Sequence, residues 1–329
     1  MRILVVGAGA LGGYFGGRLL QAGRDVTFLV RERRAAQLAK TGLIIKSKLG
    51  DANLPNPPLV KADALREPFD LILLGCKAYD LAAAAESFAP AVGANTAILP
   101  FLNGMAHLDF LASRFGARAV LGGQCLISAT LDAEGRILHL NDSHLLSFGE
   151  LDGSPSARAK AIEAAFSGAR FEQRLSTAIL QEMWEKWAFI AAAAGICSLL
   201  RAPFGDITAA GAAHYTTGMY DECCAIAAAN GFVVSDATTK RTLAMFTAPG
   251  SLIAASMLRD IERGAPIEGD HIVGDLLRRA SRAPGTSHRG RLAAICRRNS
   301  RRARRRRPQE YACAPPIRTR GGAAPTDCR

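Results

Sequence analysis

Residues 1–12, Met-Arg-Ile-Leu-Val-Val-Gly-Ala-Gly-Ala-Leu-Gly, constrain this chain more than any other stretch. Ile3–Val6 is an apolar run of strand length, and Gly7-x-Gly9-x-x-Gly12 follows it directly, opening a helical pattern from about Ala10 to Ala22. In that context Gly7 permits a tight turn, Gly9 lets backbone approach a pyrophosphate, and Gly12 lets helix pack closely on strand. Ala8, Ala10 and Leu11 complete a loop whose helix N-terminus offers N–H groups and partial positive charge to phosphates. The second strand, Asp25–Val30, ends roughly 20 residues on, where an acidic side chain would read a ribose 2′-hydroxyl. Arg31 stands there instead, followed by Glu32, Arg33 and Arg34. A cation suits a 2′-phosphate, so the loop predicts NADPH rather than NADH. A glycine turn without a ligand would not call for a second strand and a basic tip in this register.

At 329 residues the chain has room for two cored domains, and 49% hydrophobic content places it among globular proteins. No apolar run is long and unbroken enough to span a bilayer, and Met1-Arg2 leads straight into the strand with no signal-peptide pattern. The expected location is cytoplasmic. The 8 cysteines form no CxxC pair and read as reduced, structural thiols. The 6 histidines show no ligand spacing, so no metal is expected. The formal charge of +12 is concentrated: residues 281–329 hold 14 arginines, no lysine and 2 acids, which leaves the first 280 residues neutral.

Strands alternate with helices over residues 1–150: a helix at 32–40, a short strand at 43–47, a loop at 54–58, a buried strand at 69–75, a helix to about 89, a strand at 97–102, then 119–122, an alternating stretch at 124–131 and a hairpin around Glu134-Gly135. This indicates a doubly wound α/β sheet whose later strands run antiparallel. After a helix at 156–167 and a strand at 170–174, helical periodicity dominates. It covers about 176–200, 204–230, 235–247, 250–263 and 268–280, broken at Pro203, Gly231, Pro249-Gly250 and Gly264-Ala-Pro266. The expected organisation is an α/β Rossmann-type domain over 1–175, an all-α domain over 176–280 and an arginine-rich tail over 281–329.

Several signatures in this order resemble the ketopantoate reductase (2-dehydropantoate 2-reductase) family. They are Gly7-Ala-Gly-Ala-Leu-Gly12, Cys76-Lys77-Ala78, Asn103-Gly-Met105, Glu182-Met-Trp-Glu-Lys186, and Ser256-Met-Leu-Arg-Asp260 followed by Gly264-Ala-Pro-Ile-Glu268. The resemblance covers residues 1 to about 280. It implies a helical domain of the 6-phosphogluconate dehydrogenase C-terminal type and reduction of 2-dehydropantoate to pantoate, on the way to pantothenate. It implies Lys186 as the catalytic group that stabilises the alkoxide and supplies its proton, Glu268 as the catalytic and substrate-binding carboxylate that orients the substrate hydroxyl or the lysine, and Ser256 at the substrate carboxylate. Lys77 and Asn103 each follow an apolar strand, at the sheet edge where ligands bind. There Asn103 would orient the nicotinamide, and Lys77 would meet the cofactor or the substrate. Asp260 reads as a supporting partner, and Glu222 falls on a family position where a surface carboxylate is an equal alternative. The expected partners are a small-molecule 2-oxo acid and a second copy of the chain as a homodimer, with no specific nucleic acid and no membrane.

Two departures stand out. Asparagines that the family carries after the catalytic lysine correspond here to Ile190, Ala194 and Phe204. Either polar groups elsewhere compensate, or the substrate is a more apolar 2-oxo acid, or the chain is a non-catalytic NADPH-binding regulator. The tail departs from the family's closing helices. It reads as an out-of-frame C-terminus, as a disordered basic tail, or as an appendage with charge-driven polyanion affinity.

Overall fold

The computed structural model describes residues 1–282. Its strands are β1 (Ile3–Val6), β2 (Val26–Leu29), β3 (Leu43–Lys46), β4 (Ala52–Leu54), β5 (Leu59–Val60), β6 (Leu71–Leu74), β7 (Ala97–Pro100), β8 (Gly122–Leu131), β9 (Ile137–Gly149) and β10 (Glu172–Leu175). Its helices are α1 (Ala10–Gln21), α2 (Glu32–Thr41), α3 (Leu81–Phe88), α4 (Ala106–Phe115), α5 (Ala157–Phe166), α6 (Ile179–Leu200), α7 (Phe204–Ala209), α8 (Ala213–Ala229), α9 (Asp236–Phe246), α10 (Ser256–Glu262) and α11 (Asp275–Arg282), with a π-helical turn over Asp270–Gly274 leading into α11. A parallel sheet of order β5-β2-β1-β6-β7 forms the Rossmann-type half, and helices make up the rest, as the alternation of patterns predicts.

The unbroken apolar runs of β1 and β6 follow from having both sheet faces covered. On β1, Leu4 and Val6 enter a core shared with α3, α4 and the helices from α6 onward. Ile3 and Val5 point the other way, into a core shared with α1, α5 and a second sheet. That second sheet has the order β10-β9-β3-β4, with β8 antiparallel to β9. Strand β3 therefore does not extend the parallel sheet; it pairs with β9 and β4 across the far side of α1.

Helix α1 is the layer between the two sheets, and its glycines explain how it fits. A Cβ on Gly16 would lie 2.7 Å from side-chain carbons of Val5 and Phe28 in the parallel sheet. A Cβ on Gly13 would lie 2.6 Å from Ile137, and one on Gly17 2.9 Å from Ile45 and Leu43, all in the second sheet. Such distances are well inside ordinary carbon contact, so hydrogen is all that either face admits.

Three expected elements differ. Residues 119–122 carry only a bridge between Val120 and Ile98, and β8 begins at Gly122. The helix expected over 204–230 is split, because Gly211 adopts φ +72° between α7 and α8. In the span expected as a helix over 250–263, only α10 is helical. Before it, the carbonyls of Ser251 and Ile253 accept the Gly205 and Phe204 N–H groups at 2.9 and 3.0 Å. Helix α6 is long and apolar enough to cross a membrane by composition, and 67% of its apolar window is buried in the core. The readings of the arginine-rich tail fall, beyond Arg282, outside the described residues.

Candidate active site

The glycine loop has the shape a dinucleotide phosphate requires. Gly7 takes φ +89°, a left-handed conformation that favours glycine. A Cβ on Gly12 would collide with the Gly7 carbonyl oxygen, so helix and turn can approach only without a side chain. No side chain caps α1, leaving its first-turn N–H groups to whatever binds there. At the end of β2, Arg31 is 74% exposed and donates to Asp80 at 2.9 Å. Arg34 turns inward instead: its Nε donates to the Ala8 carbonyl at 2.9 Å and Nη1 to the Gly135 carbonyl at 2.8 Å. Arg34 thus braces the loop, while Arg31 is presented to solvent. These residues fit a nicotinamide dinucleotide.

Lys77, beyond β6, meets the helical half. Its Nζ donates to Asp260 at 2.9 Å and to Glu268 at 3.3 Å, and the Ala78 N–H donates to Glu268 at 2.9 Å. Burial works to lower the Lys77 pKa, but the Glu268 charge and the Asp260 hydrogen bond outweigh it and hold it above the usual lysine value. Glu268 is only 8% exposed, and Lys77 and the Ala78 N–H compensate its burial. Ser256 is exposed at the start of α10, one helical turn before Asp260.

Lys186 lies in a different place, on α6. It lines a small cleft together with Leu102, Asn103, Gln124, Met183, Trp187 and Ile190, at the carboxyl edge of the parallel sheet. Its Nζ donates to the Cys125 carbonyl at 2.7 Å, and burial holds its pKa below the ordinary lysine value. The cleft therefore combines Lys186 and Asn103 but leaves Glu268 with Lys77. Glu222, on α8, is not among the cleft-lining residues.

Beneath Asn103 sit two imidazoles. His271, from the π-turn, lies against the Asn103 backbone, which favours the charged form of its ring. Its ring also crowds Gly104, where a Cβ would lie 3.2 Å from Cδ2. Burial holds the His271 pKa below that of a free histidine, with Glu268 opposing. The His107 ring is 5.7 Å away and fully buried, which pushes its pKa well down.

Comparison with known proteins identifies the family. The family description "Ketopantoate reductase PanE/ApbA" matches residues 3–153, and its C-terminal counterpart matches residues 178–285. The chain belongs to the ketopantoate reductase family. It is 41% identical over 283 residues to the uncharacterised oxidoreductase YkpB of Bacillus subtilis, covering 86% of this chain and 93% of that one. It is 28% identical over 279 residues to a 2-dehydropantoate 2-reductase of Archaeoglobus fulgidus, covering 84% and 90%. Among solved structures, a 2-dehydropantoate 2-reductase from Geobacter metallireducens superposes with a TM-score of 0.81 at 30% identity, covering 91% of this chain and 99% of that one. The chain is thus an oxidoreductase of the ketopantoate reductase family.

The segment Glu182-Met-Trp-Glu-Lys186 is a structural hub as well as a source of Lys186. Glu182 accepts from Arg174, Ser176 and Gln124 at 2.6, 2.7 and 3.1 Å, joining α6 to the second sheet. Glu185 accepts from the Ser235 N–H at 2.9 Å and the Thr238 hydroxyl at 2.7 Å, tying α6 to the start of α9. The adjacent Trp187 donates its indole N–H to the Ile272 carbonyl at 2.9 Å, fixing α6 against the π-turn that carries His271. Sequence reasoning missed Gln124, Cys125 and His271. For His271 a signal was present, three residues after Glu268; Gln124 and the Cys125 carbonyl carry none.

Proposed function

We propose that this chain uses NADPH to reduce a 2-oxo acid to its 2-hydroxy acid, with 2-dehydropantoate to pantoate as the leading reaction. The observation that carries this reading is the half-buried Lys186 ammonium, held by the Cys125 carbonyl in the same cleft as Asn103. Bound NADPH would supply the hydride, and the rest of the chemistry falls to the chain's own residues. The glycine loop and the N-terminus of α1 would hold the pyrophosphate, and Arg31 the 2′-phosphate. Asn103, braced by His271, would orient the nicotinamide side. Lys186 would lie against the ketone oxygen, stabilise negative charge as it develops, and give that oxygen a proton. The depressed Lys186 pKa eases this transfer. Lys77, Asp260 and Glu268 would close the cleft's outer side, with Ser256 nearby for the substrate carboxylate.

A cytoplasmic role in pantothenate synthesis follows if 2-dehydropantoate is the substrate. A second reading rests on Ile190 in the cleft: an apolar wall also suits an apolar 2-oxo acid. The test is loss of NADPH absorbance on mixing the purified chain with 2-dehydropantoate or with apolar 2-oxo acids. Tight NADPH binding with no turnover of any 2-oxo acid would overturn the reductase reading and favour a cofactor-binding regulator.

A further inference from the structure

Gln124 lies on β8, next to the Cys125 carbonyl that holds Lys186, and lines the cleft with Asn103, Lys186 and Ile190. It is 7% exposed. Its amide is fixed by Glu182, whose Oε2 accepts from Gln124 Nε2 at 3.1 Å. That carboxylate is held in turn by Arg174 at 2.6 Å and by the Ser176 hydroxyl at 2.7 Å. A carboxylate paired with arginine only accepts, so the amide nitrogen must face it and the amide oxygen must be the other atom. Gln124 Oε1 is buried and has no hydrogen-bond partner. A buried acceptor left unmade is costly, and at a cleft wall the cost is relieved when a donor arrives.

The neighbouring groups decide what that donor is. A 2-oxo acid presents a ketone oxygen and two carboxylate oxygens, all acceptors. These match the Lys186 ammonium and the amide N–H groups of Asn103, but none can satisfy Gln124. The other large side chains lining the cleft, Leu102, Met183, Trp187 and Ile190, are apolar and suit a carbon skeleton. Where the family resemblance places side-chain amides on α6, this chain has Ile190 and Ala194, so the polar contact to a substrate side chain has to come from another element.

We propose that Gln124 is the residue through which this cleft selects a 2-oxo acid bearing a side-chain hydroxyl, with Oε1 accepting that hydroxyl's hydrogen bond. The inference rests on the reductase reading above and deepens it. Glu182, Arg174 and Ser176 act through Gln124 as positioning residues.

The test compares kcat/KM for 2-dehydropantoate and for 3,3-dimethyl-2-oxobutanoate, the same skeleton with methyl in place of hydroxymethyl. The wild-type chain is expected to prefer the hydroxylated acid by at least about 10²-fold, since a site built around a hydroxyl rejects the analogue lacking it. In Gln124→Leu, and in Gln124→Met as a second variant, that ratio falls below about 5, the loss falling on the hydroxylated acid. A wild-type chain that does not distinguish the two acids overturns the proposal without any variant. Equal losses on both acids make Gln124 a packing residue and also overturn it. A loss carried by weaker NADPH binding places the amide oxygen against the cofactor instead, and the proposal again falls. Turnover of neither acid, with NADPH bound, refutes the reductase reading itself.

Discussion

Replacing Lys186 with methionine separates what the lysine does for the reaction from what it costs the fold. Lys186 is half-buried and lines the cleft with Met183, Trp187 and Ile190, with one hydrogen bond, 2.7 Å to the Cys125 carbonyl. The depressed pKa arises from burial, and among the described residues no carboxylate charge offsets it. Methionine is of similar length and apolar. Removing an uncompensated half-buried charge relieves a penalty of several kcal/mol at most, while the orphaned Cys125 carbonyl costs about 1–3 kcal/mol. The expected net result is equal or greater stability, by up to roughly 2 kcal/mol, or a rise in Tm of up to about 6 °C. Turnover moves the other way. Loss of a positioned proton donor should lower kcat by about 10²–10⁴, equivalent to roughly 3–5.5 kcal/mol of barrier.

Three measurements check this: steady-state NADPH oxidation, a fluorescence titration of NADPH, and a thermal melt. NADPH affinity should change by less than about threefold, because the proposed role of Lys186 is toward the substrate. The sign with pH is also set. Reduction needs the protonated lysine, so wild-type kcat/KM should fall as pH rises through the lowered pKa, below 10.5, and the variant should lack that limb. The folded state binds fewer protons than the unfolded one between the two pKa values. Wild-type stability therefore rises with pH there, and its gap to the variant closes. A variant with kcat within about fivefold of wild type, or one that melts several degrees lower, would refute the assignment of Lys186 as a catalytic cation.

Arg31→Asp should weaken NADPH at least about tenfold and favour NADH; because the Arg31–Asp80 pair is exposed, stability should change by less than about 1 kcal/mol. Unchanged cofactor selectivity would remove Arg31 from 2′-phosphate recognition. His271→Leu removes the imidazole that packs against Gly104 beside Asn103 and should lower kcat/KM by roughly 3–30-fold with secondary structure intact; kinetics equal to wild type would show that Asn103 needs no such support. Gly16→Ala puts a Cβ 2.7 Å from Val5 and Phe28, an overpacking cost of about 1–3 kcal/mol offset by about 1 kcal/mol of helix propensity. A calorimetric melt should drop by several degrees, and an unchanged melt would mean that the sheet yields.

What could be read from residues alone follows the range of the physics. The β1–α1 loop, the buried strand β6 and the helices from α5 onward declare themselves through local glycine placement and apolar period, and they stand where expected apart from the breaks described above. Partners distant in sequence do not declare themselves. Nothing in Leu43–Lys46 says that it pairs with Ile137–Leu138 rather than joining β2. The break at Gly211 was hidden because one glycine in a helical pattern is tolerated more often than it stops a helix. In the site, Lys77, Asn103 and Lys186 could be named from motif and edge position. That Glu268 pairs with Lys77 and lies off the Lys186 cleft depends on how α6, α10 and the π-turn dock. Gln124 was illegible for the same reason: its meaning comes from Glu182, 58 positions away.

The two glycine faces of α1 carry a consequence for how such a chain can change. Gly12 and Gly16 shut one side of the helix to any side chain, and Gly13 and Gly17 shut the next. The phosphate cradle is thereby frozen from two directions, so drift in the hairpin of β8 and β9 is felt at the cofactor without touching it. Arg31 stands outside this vice, exposed at the tip of β2. With Arg31 in its proposed role, one nicotinamide cofactor can be exchanged for the other at that tip while the helix behind it stays closed to substitution.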